Sequence, residues 1–181
     1  MSEHFLMFAA PINPQTQATM IAYTSDLVQA GATKLTIALS SPGGAIVNGV
    51  TIYNALMAMP YEIVTHNIGN VDSIATAVFL AGRKRASNQT ATFMFHGVGF
   101  DSNPHERLEE KNLLEKLDVI ESEHERISNL IASKTSLSAT DCRGLFKQQT
   151  TRDAAWALGC GLATEIGEFR LPTGARLKYL V

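Results

Sequence analysis

A chain of 181 residues suits one domain, spanning residues 1–181, and is long enough to bury a proper core. Hydrophobic residues make up 45% and charged residues 18%, a globular balance that argues against a disordered chain. The formal net charge of -2 gives nothing global to attract nucleic acid or an anionic membrane surface, so neither partner is expected.

The opening MSEHFLMFAAP places Glu3 and His4 before a very short apolar run, unlike a secretory signal with its basic start and longer apolar core. No stretch nears the ~18 uninterrupted apolar residues that a membrane span requires. The two cysteines, Cys142 and Cys160, have neither metal-ligand spacing nor a disulfide framework. No metal is expected, and the reducing cytosol is the expected compartment.

Residues 5–9 form a short apolar run, a candidate strand. Asn13 followed by Pro14 is a helix-start signal, a capping side chain before a residue preset for the first turn. The helix is expected over 14–30, with Gly31 as its left-handed terminator. KLTIALS, residues 34–40, alternates Leu35, Ile37 and Leu39 against smaller neighbours and predicts a strand. Ser41-Pro42-Gly43-Gly44 is a turn, after which Ile46, Val50, Tyr53 and Met57 recur at helical spacing until Pro60. Residues 62–69 read as a strand, 73–81 as a helix of small residues ending at Gly82, and ATFMFHG, 91–97, as a further strand. Strands separated by helices of this length predict right-handed crossovers and an α/β fold with a mostly parallel sheet.

One elaboration stands out. Residues 104–134 are densely charged, yet Leu113, Leu117, Ile120, His124, Ile127 and Ile131 step by four and three, a narrow apolar seam on a long helix. Such a helix either packs along its own domain or projects to meet its counterpart in a neighbouring subunit.

Three elements carry possible chemistry. Ser73 follows a strand and a turn containing Gly69, where helix-terminal N–H groups favour developing negative charge. A serine there also serves as an ordinary helix cap. His96 ends its strand, and in a parallel sheet the strand ends carry the site, so it can supply the base a serine nucleophile needs. A half-buried histidine satisfied by a carbonyl is the plainer alternative. Gly43 and Gly44 at a strand end let backbone N–H groups approach a ligand without Cβ in the way.

The order LTIALSSPGGAIVNGVTIYNAL, then IGNVDSIATAVFLAG, then TFMFHGVG, followed by a long helix, resembles the proteolytic subunit of the Clp protease, over essentially the whole chain. The resemblance implies a ClpP/crotonase-like fold with flanking helices and a long projecting handle helix at about 104–134. It implies a serine endopeptidase with Ser73 as nucleophile, His96 as general base, and an oxyanion hole of N–H groups from Gly43, Gly44 and Ile74. It also implies a peptide substrate held as an added strand, homo-oligomeric rings docked through their handles, an ATP-driven unfoldase as partner, and no bound cofactor.

Three positions depart from the family pattern. The triad's third member, which orients the histidine, is usually Asp; ungapped alignment puts Gln149 there, while Asp153 reads as the cap of the helix AAWALGC and Asp141 is a further candidate. Asp72 precedes the serine where a small residue is usual; Arg83, Lys84 and Arg85 after the helix are candidates to pair with it, though a solvated loop is the plainer reading of that segment. Ile74 and Ala75 replace methionine and glycine, which a backbone donor tolerates. A Ser–Lys dyad using Lys111 or Lys116 ranks below Ser–His, since both lysines sit amid charges. His66 reads as structural, His105 as surface, Trp156 as core, and Phe93 and Phe95 as the opposite face of the His96 strand. Two alternatives to an active peptidase stand beside it: a weak or inactive subunit of the same assembly, and a crotonase-type acyl-CoA enzyme.

Overall fold

A computed structural model describes residues 2–99, 107 and 109–181. Its centre is β1 (Glu3–Phe8), β2 (Lys34–Ser41) and β3 (Glu62–Asp72), paired in parallel, with α1 (Pro14–Gln29) and α2 (Ile46–Met57) as the crossovers. Leu6, Phe8, Leu35, Ile37 and Leu39 are fully buried, each side chain contributing about 1.5–3 kcal/mol by leaving water. These strands face protein on both sides, so they read as near-continuous apolar runs.

Local signals set the boundaries. Asn13 and Thr16 form a reciprocal capping box at the start of α1, with Pro14 at the first helical position. At its end, Gly31 takes φ 64°, with its own N–H bonded to Val28 and that of Ala32 to Leu27, a Schellman termination.

The long strand β3 serves two partners. Its first half pairs with β4 (Lys84–Ser87), its last three residues with β5 (Thr92–Met94), and a register shift against β2 falls between Leu39 and Ser41. The shift coincides with the branch, and beyond it β3 stays in the sheet between Ser41 of β2 and strand β5. Strand order is β6-β5-β3-β2-β1-β8, where β6 is Thr151–Asp153 and β8 is Arg176–Leu180; β7 (Glu165–Ile166) extends the β4 branch. Among the described strand pairs only β5–β6 is antiparallel. The α/β architecture with its mostly parallel sheet is as the sequence predicts.

Three details differ. The segment around Arg83-Lys84-Arg85 contains strand β4 and is not a solvated loop: the Arg85 guanidinium donates to the carbonyls of Leu162, Gly161 and Gly82, and Lys84 pairs with Glu165 at 3.0 Å. The helix after Ser73 is shorter than expected, α3 (Ala75–Leu80). The long helix α4 is described over Glu110–Ala132; residues 104–106 and 108, with His105 among them, lie outside the described residues.

Along α4 the seam divides. Ile127 and Ile131 are buried against the body beside α5 (Ala139–Gln148), whereas Leu113 and Leu117 are 44% and 55% exposed. The N-terminal part of the seam thus has no cover within the described chain. Phe93, Phe95 and half-buried Trp156 of α6 (Ala154–Gly159) join the core, Phe95 meeting Trp156 edge-on at 5.8 Å. His66 is structural, its Nε2 facing Asn88 Oδ1 at 2.7 Å and the Gly167 carbonyl at 3.0 Å. Both cysteines are buried and unpaired.

Candidate active site

The turn after β2 is built before any ligand arrives. Ser41 is fully buried; its Oγ donates to the Ala10 carbonyl at 2.7 Å and accepts from the Gly43 N–H at 3.2 Å. Ile12 clamps the turn from the other side, donating to the Gly43 carbonyl at 2.7 Å and accepting from the Ala45 N–H at 2.9 Å. Gly43 has φ 83°, and a Cβ placed on it would stand 2.8 Å from the Ser73 Cβ. Only glycine lets the turn approach the serine this closely.

Ser73 sits at φ 54°, a left-handed backbone that costs an L-residue about 1–3 kcal/mol unless its surroundings impose it. They do so here: its N–H donates to the Met94 carbonyl at 2.7 Å, and its carbonyl accepts from Thr76 at 3.1 Å. The capping alternative fails, because the cap of α3 is Ile74 and no side chain caps that helix. A strained strand-to-helix turn leaves the Ser73 side chain projecting from the sheet end.

Of the three expected oxyanion donors, Gly43 is occupied by Ser41 Oγ. Among the described residues the N–H groups of Gly44 and Ile74 have no partner, so these two are the free pair. Gly44, Ser73, Ile74 and His96 line one cavity of about 500 Å³, to which α4 contributes Glu123 and His124.

His96 lies just past β5, where the Phe95 N–H bonds the Thr150 carbonyl at 2.8 Å and holds the strand end against the chain before β6. The ring is solvent-exposed, and its Nδ1 stands 2.9 Å from the Gly97 carbonyl. A carbonyl only accepts, so this contact uses an Nδ1 proton, which in a neutral ring leaves the lone pair on Nε2. That is the tautomer a general base requires.

Among the described residues no carboxylate bonds His96. In the antiparallel register Met94 faces Thr151, and just beyond the paired strands the Phe95 N–H bonds the Thr150 carbonyl. Gln149 precedes Thr150 in the chain as His96 follows Phe95, but among the described residues no hydrogen bond joins His96 to Gln149. Its φ of 50° ends α5, its side chain is exposed, and that side chain has no hydrogen bond among the described residues. Asp153 lies opposite Thr92, and its Oδ1 accepts from the Trp156 N–H at 2.8 Å, capping α6. Asp141 closes the capping box of α5 with Ser138 at the surface.

Asp72 turns to the face opposite fully buried Val71. Its carboxylate accepts from the Asn70 amide, whose carbonyl oxygen in turn accepts from Ser40 Oγ at 2.8 Å. Lys84 and Arg85 are committed to the partners already described, so neither pairs with Asp72. Lys111 is an exposed member of an i,i+4 pair with Glu115, and neither it nor Lys116 lines the cavity with Ser73.

Sequence reasoning missed one group. His124 appeared only as a seam position, yet its ring stacks on Phe146 at 5.6 Å and 17°, and its Nε2 accepts from the Val98 N–H at 2.8 Å. A polar residue in an otherwise apolar seam was the available signal.

Comparisons with known proteins span most of the chain. A solved structure of a ClpP1 point mutant from Listeria monocytogenes superimposes with a TM-score of 0.80 at 21% identity, covering 92% of both chains, which establishes the fold. The family model for Clp protease matches residues 1–170. The chain thus belongs to the Clp protease family, a family of serine peptidases.

Proposed function

We propose that the chain is a working serine endopeptidase of a ring assembly, cleaving short or unfolded peptides through a Ser73 acyl-enzyme. The observation that carries this reading is that Ser73, His96 and the two residues whose N–H groups are unpartnered among the described residues, Gly44 and Ile74, line one cavity. His96 Nε2 takes the Ser73 Oγ proton as Oγ bonds the substrate carbonyl carbon. The tetrahedral oxyanion that forms is held by the N–H groups of Gly44 and Ile74. His96 then returns the proton to the leaving amine as the C–N bond breaks. Water, deprotonated by the same Nε2, releases the acid and restores the Ser73 hydroxyl.

The uncovered N-terminal seam of α4, with Leu113 and Leu117 outermost, supports assembly through this helix. A closed chamber keeps Ser73 from folded proteins, which suits a cytosolic peptidase, and an ATP-driven unfoldase is the partner such a chamber calls for. A second reading, a weak or inactive structural subunit, is favoured by one observation: no carboxylate among the described residues bonds His96.

Labelling with a fluorophosphonate probe separates the two. Modification of one serine, abolished in Ser73→Ala, together with a ring-sized mass by analytical ultracentrifugation, supports the peptidase. A ring that never labels supports the structural subunit.

A further inference from the structure

We propose that His124 is a positioning residue for His96, acting through the peptide group between Gly97 and Val98. The Gly97 carbonyl accepts from His96 Nδ1 at 2.9 Å, and the Val98 N–H donates to His124 Nε2 at 2.8 Å. Carbonyl and N–H belong to the same planar amide, so one rigid unit joins the two imidazoles. The inference rests on His96 being the general base.

Each hydrogen bond fixes a tautomer by elimination. The carbonyl only accepts, so His96 donates from Nδ1; the Val98 N–H only donates, so His124 Nε2 is bare and its proton sits on Nδ1. In series the two bonds polarise the amide between them, strengthening its carbonyl as an acceptor for His96. This supplies the orientation that a triad's third residue gives, without its negative charge.

The rest of the neighbourhood holds His124 to that task. Its ring lies flat on Phe146, which is buried in α5, and the C-terminal part of α4 that carries it is anchored by buried Ile127 and Ile131. Burial, then Arg143 and Lys147 of α5, favour the neutral ring, opposed by Glu121 of its own helix; Glu123 and His96 share the cavity with it. Gly97 itself passes within van der Waals reach of the His124 ring: a Cβ there would lie 3.5 Å from Nε2. A protonated His124 has no lone pair for Val98, and the amide would lose its anchor.

Two variants separate positioning from packing. His124→Phe keeps a ring on Phe146 but removes the acceptor; His124→Gln keeps an acceptor and removes the ring. Fluorophosphonate labelling rates from pH 5 to 8, peptide kcat and KM, and hydrogen–deuterium exchange over residues 95–99 are measured on the intact assembly. In His124→Phe the labelling rate at neutral pH falls about ten-fold, carried by kcat with KM unchanged. Exchange over 95–99 accelerates in this variant. On acidification the parent's labelling rate falls with a component, from protonation of His124, that His124→Phe lacks. His124→Gln recovers part of the neutral-pH rate and restores the exchange protection. A parent that labels while His124→Phe matches its rate, pH profile and exchange overturns the role of His124 alone. A parent that never labels overturns the peptidase reading, and the role falls with it.

Discussion

Replacing Gly43 with Ala tests the close approach of the SPGG turn to the serine. Two costs add at this position. The φ of 83° is unfavourable for any L-residue, by roughly 1–2 kcal/mol. The new Cβ would also lie 2.7 Å from the Asp72 carbonyl and 2.8 Å from the Ser73 Cβ, where ordinary contact begins at 3.4 Å, so one side must retreat by over half an ångström. Overpacking of that kind costs a further 1–3 kcal/mol or so. Gly31→Ala supplies the control: its φ of 64° is also left-handed, but nothing lies within 4 Å of the added Cβ. At about 2–4 °C per kcal/mol for a chain of this size, Gly31→Ala should lower Tm by a few degrees and Gly43→Ala by roughly twice as much. The decisive readout is the labelling rate of Ser73. Displacing a reacting group by a fraction of an ångström to 1 Å can cost on the order of 10- to 100-fold, so Gly43→Ala should slow labelling by that factor while Gly31→Ala leaves it unchanged. If Gly43→Ala labels as fast as the parent, the turn does not define the site and the reasoning is wrong.

Other expectations follow from single positions. Ser73→Gly should abolish labelling yet raise stability by about 1 kcal/mol in thermal unfolding, because glycine accepts φ 54° without strain. Gln149→Ala should change the labelling rate by less than about three-fold, since its side chain has no hydrogen bond among the described residues; Gln149→Asp, which restores the carboxylate usual in the family's pattern, should speed it. Stability should fall as pH drops below about 6.5. Burial, assisted by Arg176 for His4 and by Arg143 and Lys147 for His124, holds both rings below their usual range, so the folded state resists the protons the unfolded state takes up. Stability is fully present above the unfolded-state value and declines toward the lowered folded-state values. Tm measured from pH 7.5 to 5.5 should show this decline, with a shallower slope in His124→Phe. Leu117→Arg on the exposed seam should leave the far-UV spectrum intact and reduce the sedimenting mass.

The parallel core was legible because it depends on local chemistry. Asn13, Pro14 and Gly31 bracket α1 through capping and a left-handed turn, both written within a few residues. The apolar run of β2 announced a buried strand for the same reason. Strand β4 was not legible: its Arg85 is a polar side chain recruited to cap distant carbonyls of Gly161 and Leu162, a tertiary event that overrides composition. The helix boundary at Ser73 was also misplaced, since the backbone there obeys the Met94 and Gly43 contacts and not the helix propensity of SIATAV.

What the sequence settled by itself is the central set of segments: strands β1, β2, β3 and β5, the turns that need glycine, and the serine and histidine that stand at strand ends. Each of these is a short-range consequence of side-chain shape and backbone preference. Tertiary structure alone decided the relations between them. The branching of β3 onto β4 and β5 set Ser73 and His96 on one cavity; the buried Ser41 hydroxyl took Gly43 out of the donor pair; the register of β5 with β6 assigned Asp153 to a helix end. The joining of His96 to His124 through one peptide group depends on residues 28 positions apart meeting across the cavity, which no local pattern encodes.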